Sequence, residues 1–304
     1  MSRTQRDGLL LILVSAAGYS FLSVFTKWVY ASGFDDPMDM LIWRFIIATP
    51  AIWGGLWLSG RRRVPVRPAA LPWRRLLALG LLFGLVALAA FQALARLPAS
   101  LYTVLIYTYP AMVALGALLF GERLPARGWV ALGLMFVGVA LTVPNFAAGF
   151  EGVEPSGVAL ALANAALYAV YILLSSRLLR GAGGGAEAGA WSIAGSLVFC
   201  LIVAAARGLQ TPATPTAWAG LLGVAVICTA VPVFTFYAGM SRLGPAQASL
   251  LSTVEPVMTL TWAALLLGEL LLPVQLAGAA CVLGGLVLLQ VRPARRLAAQ
   301  EGRS

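Results

Sequence analysis

The sequence contains no histidine, and only 11% of its 304 residues are charged. Without histidine the chain lacks the commonest general base and the commonest metal ligand, so no histidine-dependent enzyme, metal site or cofactor is predicted. Soluble domains usually carry about 25% charged residues. With 61% hydrophobic residues, this chain has too little polar surface to cover a globule in water. The three cysteines have no CxxC spacing, and we interpret them as apolar packing residues.

The net charge of +10 could suit a nucleic acid, but the positions of the basic residues argue against that partner. They cluster at the ends of apolar stretches and form no basic face interleaved with aromatic residues. The chain also lacks the GxxxxGK[ST] motif, so ATP-driven pumping is not predicted. Lipid and a small-molecule substrate are the predicted partners.

Long apolar stretches predict ten membrane spans, since about 20 apolar residues cross a bilayer core. The first resembles a signal peptide, but its apolar run from Gly8 to Val24 is too long and ends in no cleavage site. Seventeen basic residues lie at the N-terminus, in the even-numbered loops and in the C-terminal tail, which predicts that both termini are cytoplasmic. The spans lie near 8–30, 38–59, 75–95, 99–120, 126–144, 155–176, 190–207, 217–239, 246–267 and 274–291.

An internal repeat relates the two halves of the chain. The segment GLLLILVSAAGYSFLSVFTK from Gly8 aligns without gaps to GVALALANAALYAVYILLSS from Gly157. A second alignment places Pro110 on Pro256 and, after one inserted residue, Glu122 on Glu269. Five spans are an odd number, so the second half must enter the membrane from the opposite side. The predicted fold is all-α and integral to the membrane, with ten transmembrane helices as two inverted five-helix repeats, 1–150 and 151–304.

Polar side chains recur at helical spacing inside several spans. They are costly in lipid, so we expect them to line a cavity or a helix contact. Tyrosine is common among them, and aromatic walls suit aromatic or bulky apolar substrates. The predicted substrate-binding residues are Ser15, Tyr19, Ser23, Trp43, Gln92, Thr103, Tyr107, Tyr109, Asn164, Tyr168, Tyr171, Tyr237, Ser249, Ser252 and Glu255.

Glu255 is the only acid deep in a predicted span. It is either a buried partner of Lys27 or Arg44, or a functional group that binds a substrate amine or carries a proton. Arg44 can bind a carboxylate bidentately, serve as a structural partner of an acid, or lie near the outer interface beside Asp39. Pro110 and Pro256 each remove a backbone donor, and their matched positions favour hinges over simple packing kinks.

The repeat and the proline followed about eleven residues later by Gly-Glu and a Gly-rich helix resemble the drug/metabolite transporter superfamily, in its ten-helix EamA-type branch. The resemblance covers almost the whole chain. It implies export of amino acids or related metabolites across the bacterial inner membrane, through a central cavity. Within this branch, the tyrosines favour the aromatic amino acid exporters.

The sequence therefore predicts a secondary transporter that exports aromatic or other neutral amino acids by alternating access. The same fold could instead export cationic drugs or other small metabolites, with Glu255 as the counter-charge. A membrane enzyme is disfavoured, because paired acids, histidines or a metal cluster are missing. A receptor or scaffold is disfavoured, because the chain has no extramembrane module.

Overall fold

The computed structural model describes residues 3–60, 72–118, 126–142, 153–178, 185–243, 248, 251–252, 254–269 and 271–290. Within these ranges the chain is helical and contains no strand. In chain order the α-helices are α1 (Arg3–Ser20), α2 (Leu22–Ala31), α3 (Pro37–Gly60), α4 (Trp73–Arg96), α5 (Ala99–Ile106), α6 (Tyr109–Leu118), α7 (Ala126–Thr142), α8 (Pro155–Leu178), α9 (Gly185–Arg207), α10 (Pro215–Leu222), α11 (Val231–Leu243), α12 (Val254–Leu267) and α13 (Pro273–Gln290). A π-helix, Gly223–Ala230, joins α10 to α11.

These helices form ten apolar spans, as predicted. Seven are long and apolar enough to cross a membrane, and three shorter apolar helices cover Ala126–Leu141, Val254–Leu267 and Pro273–Leu288. Three spans contain a break or a change of helix type: α1 with α2, α5 with α6, and α10 with the π-helix and α11. Large apolar side chains such as Phe136 (79% exposed) and Leu265 (70% exposed) point outward, as lipid contact requires. The protein is an all-α, multi-pass membrane protein.

The packing of the two halves is reciprocal. Gly8, at the start of α1, lies against the end of α11, where a Cβ on the glycine would come within 2.8 Å of Leu243 Cγ. Gly157, at the start of α8, lies against the end of α4, where a Cβ would come within 2.8 Å of Leu97 Cγ. The first helix of each half thus contacts the third span of the other half through aligned glycines. This is the arrangement of two inverted copies, and it confirms the predicted fold class.

Small residues bring α4 and α9 into backbone contact. A Cβ on Gly80 would lie 2.1 Å from the carbonyl oxygen of Ser192 and 2.7 Å from Cα of Gly195. The hydroxyl of Ser196 donates to the carbonyl oxygen of Gly80 at 2.7 Å. Close approach of this kind is how membrane helices gain packing energy where water provides no hydrophobic drive.

The predicted division at residue 150 falls between 142 and 153, outside the described residues, and stays a prediction. The aligned acid Glu122 also lies outside them, whereas Glu269 is described.

Candidate functional site

Four of the predicted tyrosines form one group, which we call the tyrosine cluster. The ring centroids of Tyr107 and Tyr109 are 6.1 Å apart, and Tyr109 packs edge-on against Tyr168 at 4.8 Å. Tyr168 is stacked on Tyr171 at 6.0 Å, and the hydroxyl group of Tyr171 lies 3.0 Å from that of Ser192. The cluster therefore runs across α8 from the break between α5 and α6 towards α9.

A helix break creates this cluster. Side chains two residues apart on a straight helix point to different sides, so Tyr107 and Tyr109 would not meet there. Pro110 has no N–H to continue the ladder, and α5 ends at Ile106, before α6 begins at Tyr109. The intervening turn, with the N–H of Thr108 bonded to the carbonyl of Leu105 at 3.2 Å, brings both rings to one side.

Glu255 lies against this cluster. Its carboxylate accepts a hydrogen bond from the hydroxyl group of Tyr107, and it interacts electrostatically with Tyr109 and Tyr168. Tyr107 is eight residues into its span, or about 12 Å from the span's end at 1.5 Å per residue, which is near mid-membrane. Glu255 and the four tyrosines are deep in the bundle, yet each keeps accessible surface. Polar groups that lie this deep and keep accessible surface are expected to line an internal chamber, and we use the word chamber below for this expected space.

Tyr19 belongs to the same region. It interacts electrostatically with Tyr168 on one side and with Arg44 on the other. Its predicted repeat partner is Tyr168 itself, so the two aligned tyrosines approach each other where the halves meet.

Asn164 makes hydrogen bonds to two other helices. Its Oδ1 accepts a hydrogen bond from the hydroxyl group of Tyr102 at 3.2 Å, and its Nδ2 donates to the carbonyl of Val86 at 2.5 Å. With only 1% of its surface exposed, it joins α8 to α5 and α4.

Other predicted residues use their hydroxyl groups within or between helices. Ser15 donates to the carbonyl of Pro232 at 2.9 Å, which links α1 to α11. Thr103 and Ser252 donate to backbone carbonyls one turn earlier in their own spans, at 2.7 and 2.9 Å. Ser23 is buried in α2. These contacts match the helix-packing alternative for polar stripes.

Two predicted residues lie away from the tyrosine cluster. Trp43 donates from Nε1 to the carbonyl of Gln210 at 2.8 Å and packs against the ring of Trp218 at 4.8 Å. Gln92 accepts a hydrogen bond from Arg96 at 2.6 Å near the end of α4. Both side chains are held at one end of the bundle, and their role in substrate binding stays a prediction.

The two prolines predicted to be hinges, Pro110 and Pro256, both lie near the start of a helix. Pro110 follows a break in its span, as expected from its missing donor. Pro256 is the third residue of α12, and residue 253 before that helix lies outside the described residues. Ser249 and the side chain of Tyr237 also lie outside them. A hinge role for either proline stays a prediction.

The bundle end at loops 32–36, 97–98 and 208–214 is held by charged contacts, and we call it the Asp36 face. Arg207 pairs with Asp36 at 3.0 Å and also with Asp39, whose side chain is 1% exposed. Burial acts to raise the pKa of Asp36. Hydrogen bonds from Arg207 and from the backbone N–H groups of Asp39 and Met38 outweigh it and hold that pKa below its usual value. These bonds tie α3 to α9.

A second contact at this face caps a helix. Glu269 accepts hydrogen bonds from the N–H groups of Ala99 and Ser100 at 2.9 and 2.8 Å, and from the Ser100 hydroxyl at 2.9 Å. A carboxylate at a helix N-terminus satisfies free N–H groups and interacts favourably with the helix dipole. The ninth span is thereby fixed to the fourth. A more exposed pair, Arg96 with Glu154 at 3.2 Å, joins α4 to the start of α8.

Neither candidate cation is paired with Glu255 among the described residues. Lys27 is half-buried and has Glu269 as its electrostatic neighbour. Arg44 is buried and donates from Nε to Thr229 Oγ1 at 3.0 Å. Thr229 lies in the π-helix and donates to the carbonyl of Val224 at 2.7 Å. The sequence analysis did not predict the π-helix or a role for Thr229. Pro232, just beyond the π-helix, is a sequence feature that could have indicated an irregular turn there.

The sequence model of the EamA-like transporter family matches residues 6–143 and 155–291. The uncharacterized transporter YcbK of Bacillus subtilis is 27% identical over 284 residues, which are 91% of this chain and 90% of that protein. The threonine/homoserine exporter RhtA of Escherichia coli K12 is 31% identical over 219 residues, 67% of this chain and 70% of that protein. A solved crystal structure with 19% identity has a TM-score of 0.63 and is matched over 98% of this chain and 99% of its own, which supports the fold. The chain belongs to the EamA-like transporter family and is a small-molecule transporter, not an enzyme.

Proposed function

We propose that the protein exports amino acids, aromatic or other neutral ones in particular, from the bacterial cytoplasm by alternating access. The observation that carries this proposal is the half-buried tyrosine cluster with Glu255 beside it, deep inside the bundle. Aromatic rings suit an apolar side chain, and one carboxylate suits the substrate ammonium group. The relatives that export threonine and homoserine support a neutral amino acid.

The contacts at the Asp36 face support transport out of the cytoplasm. The basic residues of the termini and even-numbered loops predict that the opposite face is cytoplasmic, so in this proposal the Asp36 face is extracytoplasmic. Because Arg207 and the Glu269 cap hold this face together, we propose that substrate enters the chamber from the opposite, cytoplasmic side. Export then requires these contacts to break while the other face closes.

A transport assay tests the proposal. Purified protein is reconstituted into liposomes that are loaded with unlabelled substrate. Counterflow of labelled phenylalanine, tryptophan and threonine into these liposomes is then measured. We expect uptake of at least one, and a KM at least about tenfold higher in Glu255→Gln, because a charge-assisted hydrogen bond to the ammonium group is lost. Glu154→Gln removes an acid that is 51% exposed, and serves as the control with unchanged KM. Absence of counterflow for a full panel of amino acids would remove the proposal.

One observation favours a second candidate, export of organic cations. A carboxylate beside several aromatic rings also attracts a cationic drug. In that case Glu255→Gln abolishes counterflow of a labelled quaternary ammonium compound, while amino acids neither compete nor exchange in the unmodified protein. Competition by neutral amino acids decides for the first candidate.

A further inference from the structure

Arg44 is a buried cation that the packing of the protein does not explain. Only 6% of its surface is exposed, and it lies seven residues after Pro37, about 10 Å into the span. Its described hydrogen bond runs from Nε to Thr229. No carboxylate among the described residues forms an ion pair with Arg44. No described residue accepts a hydrogen bond from either of its two terminal nitrogens. Burying a charge without a partner is costly, so an anion from elsewhere is the natural complement.

The surroundings of Arg44 hold the guanidinium group in a fixed orientation. Its central carbon lies 5.5 Å from the ring centroid of Phe45 and 5.4 Å from that of Phe91, both within range of a cation–π interaction. Thr229 uses its own proton on Val224, so its oxygen accepts from Arg44 Nε. Anchoring Nε in this way leaves the fork of terminal N–H groups available, and this fork matches the two oxygens of a carboxylate.

Arg44 is also connected to the chamber. Tyr19 interacts electrostatically with both Arg44 and Tyr168, and Tyr102 interacts with both Arg44 and Glu255. Tyr19 and Tyr102 are therefore neighbours of Arg44, and each is also a neighbour of a residue of the Glu255 and tyrosine-cluster group. A carboxylate and a guanidinium group that share neighbours in this way offer complementary charges to the two ends of a zwitterion.

We propose that Arg44 binds the carboxylate group of the transported amino acid and so distinguishes amino acids from amines without that group. The inference rests on the proposed amino acid export. Glu255 then receives the ammonium group, Arg44 receives the carboxylate, and Thr229 positions Arg44 without touching substrate. The fixed charge also disfavours cations, which have no carboxylate to offset it.

The test compares an amino acid with its amide. Counterflow of labelled phenylalanine is measured in liposomes at about pH 6 and inhibited by unlabelled phenylalanine or phenylalaninamide, which both carry the ammonium charge at this pH and differ in the carboxylate. In the unmodified protein we expect phenylalanine to inhibit at least about tenfold more strongly than the amide. Arg44→Gln removes this preference by weakening phenylalanine, with amide inhibition unchanged. Arg44→Lys restores part of it, because the charge returns without the fork.

Two further variants test whether Thr229 positions Arg44 and whether loss of any arginine has the same effect. Thr229→Val should reduce the preference for the free acid less than Arg44→Gln does, since the charge stays. Arg242→Gln removes an exposed cation that bonds to a carbonyl of its own helix, and should leave the preference intact.

The outcomes separate this inference from the proposed function. Equal inhibition by acid and amide in the unmodified protein, a preference that survives in Arg44→Gln, or equal loss for both compounds would each overturn the role of Arg44 while amino acid export stands. The first comparison needs no variant, so it decides even if Arg44→Gln does not fold. Absence of amino acid counterflow altogether would overturn both.

Discussion

The carboxylate of Glu269, which caps α5, is expected to stabilise the closed form of the Asp36 face. This carboxylate accepts three hydrogen bonds, from Ala99 N–H and from the N–H and hydroxyl of Ser100. A hydrogen bond to a charged group contributes about 1.5–3 kcal/mol, and partial exposure to water lowers the total here to about 2 kcal/mol. If the cap exists only while the Asp36 face is shut, Glu269→Ala shifts the closed-to-open ratio by about 30-fold.

This shift can be measured with two spin labels at the Asp36 face. Pro98 and Leu272 are exposed, and cysteines at these positions, in a chain freed of its three native cysteines, report the distance across the cap. We expect Glu269→Ala to add a population at longer distance. Glu154→Gln is the matched control. The side chains of Arg96 and Glu154 are 33% and 51% exposed, so their ion pair contributes less than about 1 kcal/mol. An unchanged distance distribution in Glu269→Ala, or a larger change in the control, would refute this reasoning.

Three further predictions follow from the packing and the charges. Because the pKa of Asp36 is held low in the folded protein, its stabilising contribution is complete above the pKa of about 4 for an unfolded carboxyl group and is lost as the pH falls through the folded value. Melting temperatures in detergent between pH 6 and 3 should therefore fall less steeply in Asp36→Asn than in the unmodified protein, and Arg207→Gln should flatten the curve in the same way. Gly80→Ala should lower the melting temperature by several degrees, since its Cβ would lie 2.1 Å from a backbone oxygen, whereas Gly54→Ala, with nothing within 4 Å, should not. Pro110→Ala should slow turnover more than it raises KM if the break is a hinge, and unchanged turnover in counterflow would count against the hinge.

The sequence was sufficient for the spans because lipid imposes a simple rule. Every span must satisfy its backbone internally and present apolar side chains outward, so runs of about 20 apolar residues identify the helices. The reciprocal contacts of Gly8 and Gly157 also follow from the repeat that the alignment revealed. These features depend on patterns within one stretch of chain.

The site depended on contacts between distant stretches, and there prediction was less complete. Tyr168 and Tyr171 share a face by helical spacing, but Tyr107 joins Tyr109 only because the helix breaks between them. Trp43 has the residue type expected of a cavity wall, yet a carbonyl near the Asp36 face holds its indole N–H. Spacing along one helix gives no information on which neighbouring chain supplies a partner.

The π-helix at Gly223–Ala230 makes the two halves unequal, since its counterpart α4 is an unbroken α-helix from Trp73 to Arg96. Two identical halves that exchange shapes would give inward-facing and outward-facing forms of the same energy. A π-helix in one half alone removes that equality, so under the proposed alternating access we expect the empty protein to favour one of the two forms. The two sides of such a carrier then differ in apparent affinity for substrate, while the direction of net transport still depends on a gradient.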